Sequence, residues 1–219
     1  MAGDDLELLV AWERHLGTTP VALEHLRSVT APYREAHRHY HTVRHLTWVV
    51  RHVEELTAGR ELIDADATIA AAFYHDVVYA PRRHDNEVVS AAVAANALGE
   101  MGWDGARIER VGNMIIGTSD HDLAAGVDID TAVLYAADLA VLAADPAAYG
   151  DYARNVRREY AHVDDAGWNA GRGAVLQGFL DRPAIFEPAL GLDSVSYTHL
   201  TLPTIVRECR SRWSGGGWG

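Results

Sequence analysis

The sequence has no lysine and only one cysteine, Cys209, close to its end. A single thiol closes no disulfide within the chain, so a cross-linked framework is excluded and no thiol chemistry is expected. Long apolar runs are also missing. None reaches the roughly 18 residues that cross a bilayer, and the start, Met1-Ala2-Gly3-Asp4-Asp5, lacks the basic-then-apolar order of a leader. The expected location is the cytoplasm, with no membrane partner. Positive charge is scarce, 19 arginines standing against 31 acidic residues for a formal net charge of −12. Such a chain is a poor ligand for a nucleic-acid duplex or an anionic lipid surface, and a small molecule is the better expectation. Alternating apolar and polar runs are absent as well, so strands are not expected.

At Val195 the character of the chain changes. The run Val195-Ser196-Tyr197-Thr198-His199-Leu200-Thr201-Leu202-Pro203-Thr204 is followed by Cys209-Arg210-Ser211-Arg212-Trp213-Ser214. In this order the two strings resemble the translation of a transposase sequencing adaptor and of the primer behind it. On that resemblance residues 195–219 are a non-native tail, the natural chain is expected to continue past Leu192, and the apolar stretch Ala184 to Leu190 is expected to leave an open groove. The tail carries Arg207, Arg210 and Arg212 against Glu208, so residues 1–194 are more acidic still. That length is ample for one domain with its own core.

What the sequence does have is helical periodicity, almost throughout. Asp4 or Asp5 can start a helix whose Leu6, Leu9, Val10 and Leu16 recur at helical spacing, and Gly17 can stop it. Pro20 and Pro32 open further segments. A helix from about His41 to Leu56 gathers Leu46, Val49, Val50 and Val53 on one side, with His45 in that sector. Asp64 or Asp66 begins an Ala-rich helix ending near His75-Asp76, before Pro81. Helices are further expected over Asp85 to Met101, Asp104 to Gly117, Asp128 to Ala144, Asp145 to His162 and Asp165 to Leu180. The fold class is all-α, a single-domain helical bundle.

Within this frame a few residues carry chemistry. His41 and His45 are four apart and so are expected on one face of a helix, His75 and Asp76 are adjacent, and Asp138 sits in Leu134-Tyr135-Ala136-Ala137-Asp138-Leu139-Ala140. A carboxylate among apolar neighbours costs several kcal/mol if left unpaired, so it calls for a cationic partner. Together His45, His75, Asp76 and Asp138 form a mixed nitrogen and oxygen shell for a divalent cation. Imidazole ligands favour Mn, Fe, Co or Zn over Mg.

The ordered set His, His-Asp, Asp on an all-helical chain resembles the HD superfamily of metal-dependent phosphohydrolases. The wording Arg38-His39-Tyr40-His41, Phe73-Tyr74-His75-Asp76, Asp85-Asn86-Glu87 with Ser90, Asp138-Leu139 and Arg157-Arg158-Glu159-Tyr160 is similar to its bacterial branch of predicted hydrolases. Tyr40-His41 with His45 also resembles an element of cyclic-nucleotide phosphodiesterases. Tyr79-Ala80-Pro81 stands where those have a further His-Pro, so their substrate is not implied. The resemblance implies His45, His75, Asp76 and Asp138 as metal ligands, with Asp76 able to bridge to a second, Mg-type ion, and His41 as general acid. Glu87 is a candidate for orienting water or that second ion. His121, Arg82, Arg157 and Arg172 are candidates for binding the substrate, since a guanidinium fork matches phosphate oxygens. The implied reaction is hydrolysis of a nucleotide or other small phosphorylated metabolite by metal-activated water. Two other readings stay open, a non-catalytic metal-dependent nucleotide-binding module and an oxygenase. A homo-oligomer is left open too.

Overall fold

The computed structural model describes residues 3–123 and 126–190, and the tail from Val195 lies outside them. The fold is all-α. Among the described residues there are nine α-helices and no strand: α1 Gly3–His15, α2 Pro20–Thr30, α3 Val43–Thr57, α4 Ala65–Tyr74, α5 Asn86–Glu100, α6 Gly105–Gly117, α7 Ile129–Leu139, α8 Pro146–Glu159 and α9 Asp165–Leu180. Short 3₁₀ turns cover Pro32–Arg34, Ala140–Ala143 and Pro188–Leu190. Among the described residues no single helix is long and apolar enough to cross a membrane.

Aspartates start several of these helices. The side chains of Asp64, Asp104, Asp145 and Asp164 each accept hydrogen bonds from amides of the first turn of α4, α6, α8 and α9, satisfying donors that have no partner within the helix. Thr19 does the same for α2, with Pro20 in the first position.

The chain divides into two compact units, Met1–Asp138 and Leu139 onward, a boundary that falls within the stretch read from sequence as one domain. In the first unit α4 is the hub and packs against α1, α2, α3, α5 and α6. Every residue from Ala67 to Tyr74 is buried. A helix apolar on all sides must be surrounded, and Ala67, Ala70, Ala71 and Ala72 let its neighbours approach closely. Trp12 of α1 meets the edge of Phe73 at 4.9 Å between ring centroids. On α3 the predicted stripe Leu46, Val49, Val50 and Val53 is fully buried. Each such side chain contributes about 1.5–3 kcal/mol on leaving water. The second unit holds α8 and α9. Tyr149, Val156 and Glu159 of α8 are buried, whereas α9 buries only Leu176 among its described side chains. Ile185, Phe186 and Leu190 are buried, so those side chains of the terminal apolar stretch are covered, contrary to the expected open groove.

Two helix boundaries differ from expectation in ways that matter. α3 starts at Val43, not near His41: Thr42 is extended (φ −105°, ψ 177°), and Arg38 donates to the His41 carbonyl at 3.4 Å. His41 and His45 therefore do not share a helix face. The segment expected as one helix over Asp128 to Ala144 instead ends its α-helical part at Leu139, and Ala140–Ala143 tightens to 3₁₀.

Candidate metal centre

Three helix ends of the first unit deliver the central side chains. His45 lies in the first turn of α3, His75 is the residue that terminates α4, Asp76 follows it, and Asp138 is in the last turn of α7. His45 and His75 are buried, and both aspartates are 16% exposed in their side chains. A helix end frees each side chain from the neighbouring turns, so groups far apart in sequence can converge.

The convergence is tight. His45 Nε2 lies 3.2 Å from His75 Nε2. Asp76 Oδ2 is 3.4 Å from His45 Nε2 and 3.1 Å from His75 Nε2. Asp138 Oδ1 is 3.4 Å and 3.7 Å from the same two atoms. Ligand atoms of His45, His75 and Asp138 all fall within 4.8 Å of one another. Bonds of about 2.0–2.2 Å to one cation place neighbouring ligands about 3.0 Å apart at right angles and about 3.4 Å apart at tetrahedral angles. The separations of 3.1–3.4 Å are of that size, whereas 3.7 Å from His75 Nε2 to Asp138 Oδ1 is longer, and the group that closes to within 4.8 Å comprises His45, His75 and Asp138 without Asp76.

Proton bookkeeping supports the same fit. His75 Nδ1 is 2.8 Å from the Ala72 carbonyl, which can only accept, so Nδ1 donates and Nε2 faces the cluster. Burial opposes charge on His75, but Asp76 and then Asp138 overcome it and raise its pKa to about 9. His45 is raised in the same way, its burial outweighed by Asp138 and Asp76, while the charge on His75 works against it. Burial likewise opposes ionisation of the aspartates. His75, His41 and His45 nonetheless hold Asp76 well below the usual carboxylate range, and His121 and His45 do so for Asp138. The Nε2 atoms of the two buried imidazoles face one another across 3.2 Å with both carboxylates beside them. One divalent cation can take the place of the protons these groups otherwise share. The residues present therefore fit a metal ion.

His121 completes the cluster. Its Nε2 lies 2.8 Å from the second oxygen of Asp138, Oδ2, and it occupies the left-handed region at φ 51°. That region is uncommon for a residue other than glycine and costs on the order of 1 kcal/mol or more. His121 stands 5.1 Å from the Tyr135 ring. Tyr135 in turn lies over Gly117, where any Cβ would sit 1.8 Å from the tyrosine oxygen. Gly117, Tyr135 and His121 thus form a packed line that ends on Asp138.

His41 approaches from the loop before α3. Its ring stacks on Tyr79 at 4.0 Å, and Nε2 is 3.9 Å from Asp76 Oδ2. The residue that sequence reasoning left without a role is Arg38, whose side chain is 1% exposed beneath this loop. Its signal was its place just before the histidine cluster, but only the fold shows that the guanidinium is enclosed.

The other candidates stand on other elements. Glu87 is half-buried in the first turn of α5, with no ion pair to the cluster among the described residues. Arg82 is exposed in the loop before that helix. Arg157 donates to the Tyr160 and Val163 carbonyls and to Asp165, closing the end of α8. Arg172 donates to the Tyr152 hydroxyl at 2.7 Å. Arg157 and Arg172 both belong to the second unit.

Compared with protein-family models, with curated proteins and with solved structures, the chain matches none.

Proposed function

We propose that this protein is a metal-dependent phosphohydrolase of the HD type that cleaves a phosphoester of a nucleotide or other small phosphorylated metabolite. The observation that carries the reading is the closure of His45, His75 and Asp138 to within 4.8 Å, with Asp76 Oδ2 against both imidazoles. A divalent ion bound there supplies Lewis acidity and a water of lowered pKa. The chain's own residues do the rest. His45, His75, Asp76 and Asp138 hold the ion, and His121 fixes the orientation of Asp138 through its second oxygen. His41, stacked on Tyr79 with its Nε2 3.9 Å from Asp76 Oδ2, is the candidate proton donor to the leaving oxygen.

The test uses the purified protein loaded with Mn, Fe, Co or Zn and a panel of phosphorylated metabolites. His41→Ala is expected to keep its metal and to lose about 10²–10⁴ in turnover. Asp76→Ala is expected to lose both. Less than about a tenth of an equivalent of metal after reconstitution would remove the site, and equal metal loss in the two variants would mean that the histidine roles are reversed. A metal-loaded protein that binds a phosphorylated ligand without turning it over would instead be a binding module.

A further inference from the structure

Arg38 is a charged side chain enclosed by the protein. Its guanidinium spends its donors in several directions: Nε to Glu35 Oε2 at 3.1 Å, Nη1 to the Asp76 carbonyl at 2.7 Å and the His41 carbonyl at 3.4 Å, and Nη2 to the Val77 carbonyl at 3.0 Å. The planar group also lies 5.0 Å from the Tyr33 ring and 5.5 Å from the Tyr79 ring. Three of its four acceptors are backbone carbonyls, and these belong to two segments distant in sequence, the loop of His41 and the exit of α4 at Asp76 and Val77. Only a fork of fixed donors can reach all of them at once, since an ammonium is a single point on a flexible stem. His37 adds a second tie, from its Nε2 to the Tyr79 carbonyl at 2.9 Å.

We infer that Arg38 is a positioning residue: it clamps the loop of His41 to the end of α4, so that the His41 imidazole stays stacked on Tyr79 and in register with Asp76. The inference rests on the phosphohydrolase reading for its catalytic meaning, but the clamp is a statement about geometry and can be measured without turnover. His41 has no helix to hold it. Its ring is placed by the stack on Tyr79 at 4.0 Å, and Arg38 ties the His41 backbone to the segment leading into that tyrosine. Loss of the fork should release His41 first, and then slacken Asp76.

The experiment compares wild type, Arg38→Lys and Glu35→Ala, all as full chains. Three readouts are taken: the proton NMR resonances of the His41 ring, Co²⁺ affinity by titration, and steady-state rates on whichever phosphoester the wild type cleaves. In Arg38→Lys the His41 resonances are expected to move to the position of an unstacked imidazole, while those of Trp12 and Phe73 stay in place. Co²⁺ affinity and kcat should each fall by about 10- to 100-fold, with KM within about twofold. Glu35→Ala frees Arg38 Nε and removes the carboxylate 3.8 Å from His37 Nε2, while the guanidinium keeps its three carbonyls, so it should shift the same resonances in the same direction, but less. His41 resonances unchanged in either folded variant would overturn the clamp. If the wild type cleaves no phosphoester, the phosphohydrolase reading fails on its own, and the NMR and Co²⁺ results still decide for or against Arg38.

Discussion

The two ends of α7 each carry a low-exposure aspartate, and the two are put to different use. Asp130, in the first turn, has no exposed surface and accepts from the Ile63 amide at 2.9 Å, the Asp64 amide at 2.8 Å and Arg110 at 2.8 Å. Asp138, in the last turn, faces the imidazoles of His121, His45 and His75. Amides and guanidinium keep their protons at every ordinary pH, so Asp130 sits in a finished set of hydrogen bonds and has nothing left to offer a metal. Imidazoles can give their protons up, so the lone pairs around Asp138 can be handed to a cation. A buried carboxylate is therefore not by itself a sign of a metal site. What its partners can lose decides.

Exchanging the roles gives the largest effects. Asp130→Asn puts an amide donor among donors and should cost about 3 kcal/mol, the low end for a broken buried pair because Asp128 still holds Arg110 at 2.9 Å. Its metal content should be unchanged. Asp138→Asn should bind no metal, and its metal-free form should also melt below the metal-free wild type at pH 6, because the imidazoles lose the carboxylate that faces them. Thermal unfolding with elemental analysis checks both, and a shared metal content for the two variants would erase the distinction.

The second prediction concerns pH. His75 is raised from 6.5 to about 9 in the metal-free protein, so its stabilising contribution is complete below pH 6.5 and is lost as pH rises through about 9. Asp76 and Asp138 are lowered from 3.8, so theirs is complete above that pH and fades on acidification. The metal-free protein should thus be most stable between about pH 4 and 6.5 and weaken toward pH 9. The metal-loaded protein should gain stability over the same rise, because proton release favours binding; at a thousandfold excess over Kd the gain is about 4 kcal/mol. Melting curves with and without a chelator at pH 6 and 9 should diverge. Parallel curves would count against protons and metal sharing one set of atoms.

Two smaller effects sharpen the comparison. Gly117→Ala drives a methyl into Tyr135 and should cost about 1–3 kcal/mol, while lowering metal affinity through the displaced His121. Tyr135→Phe in that background should recover part of both. At the Asp130 end, Asp64 caps α4 and also takes two hydrogen bonds from Arg107, which lower its pKa. Asp64→Ala should cost about 0.5–2 kcal/mol above the carboxylate's unfolded pKa of 3.8, a cost that fades as pH falls from there through the lowered folded value, with no change in metal content. Urea unfolding at two pH values reads this directly.

The helices, the caps at Asp64, Asp104 and Asp145 and the residues that converge at the candidate metal centre were legible in the sequence, because period, capping chemistry and residue type are local properties, whereas Asp85 makes no side-chain cap and α9 is capped by Asp164. His45, His75 and Asp138 could be picked out from residue type and apolar neighbours alone. The partners could not. Asp130 looks like any first-turn acid until the fold encloses it with Arg110, and Arg38 looks like one basic residue in a histidine-rich stretch until the fold buries it against three carbonyls. The expected shared helix face of His41 and His45 failed for a related reason. Spacing predicts a face only where the backbone is helical, and an arginine's hydrogen bonds to distant carbonyls belong to the tertiary structure. What the sequence determined by itself is which side chains could hold a metal. Which protons they share, which oxygen of Asp138 faces the imidazole pair and which loop is tied to which helix end were decided only by packing, because each depends on atoms that no sequence spacing brings together.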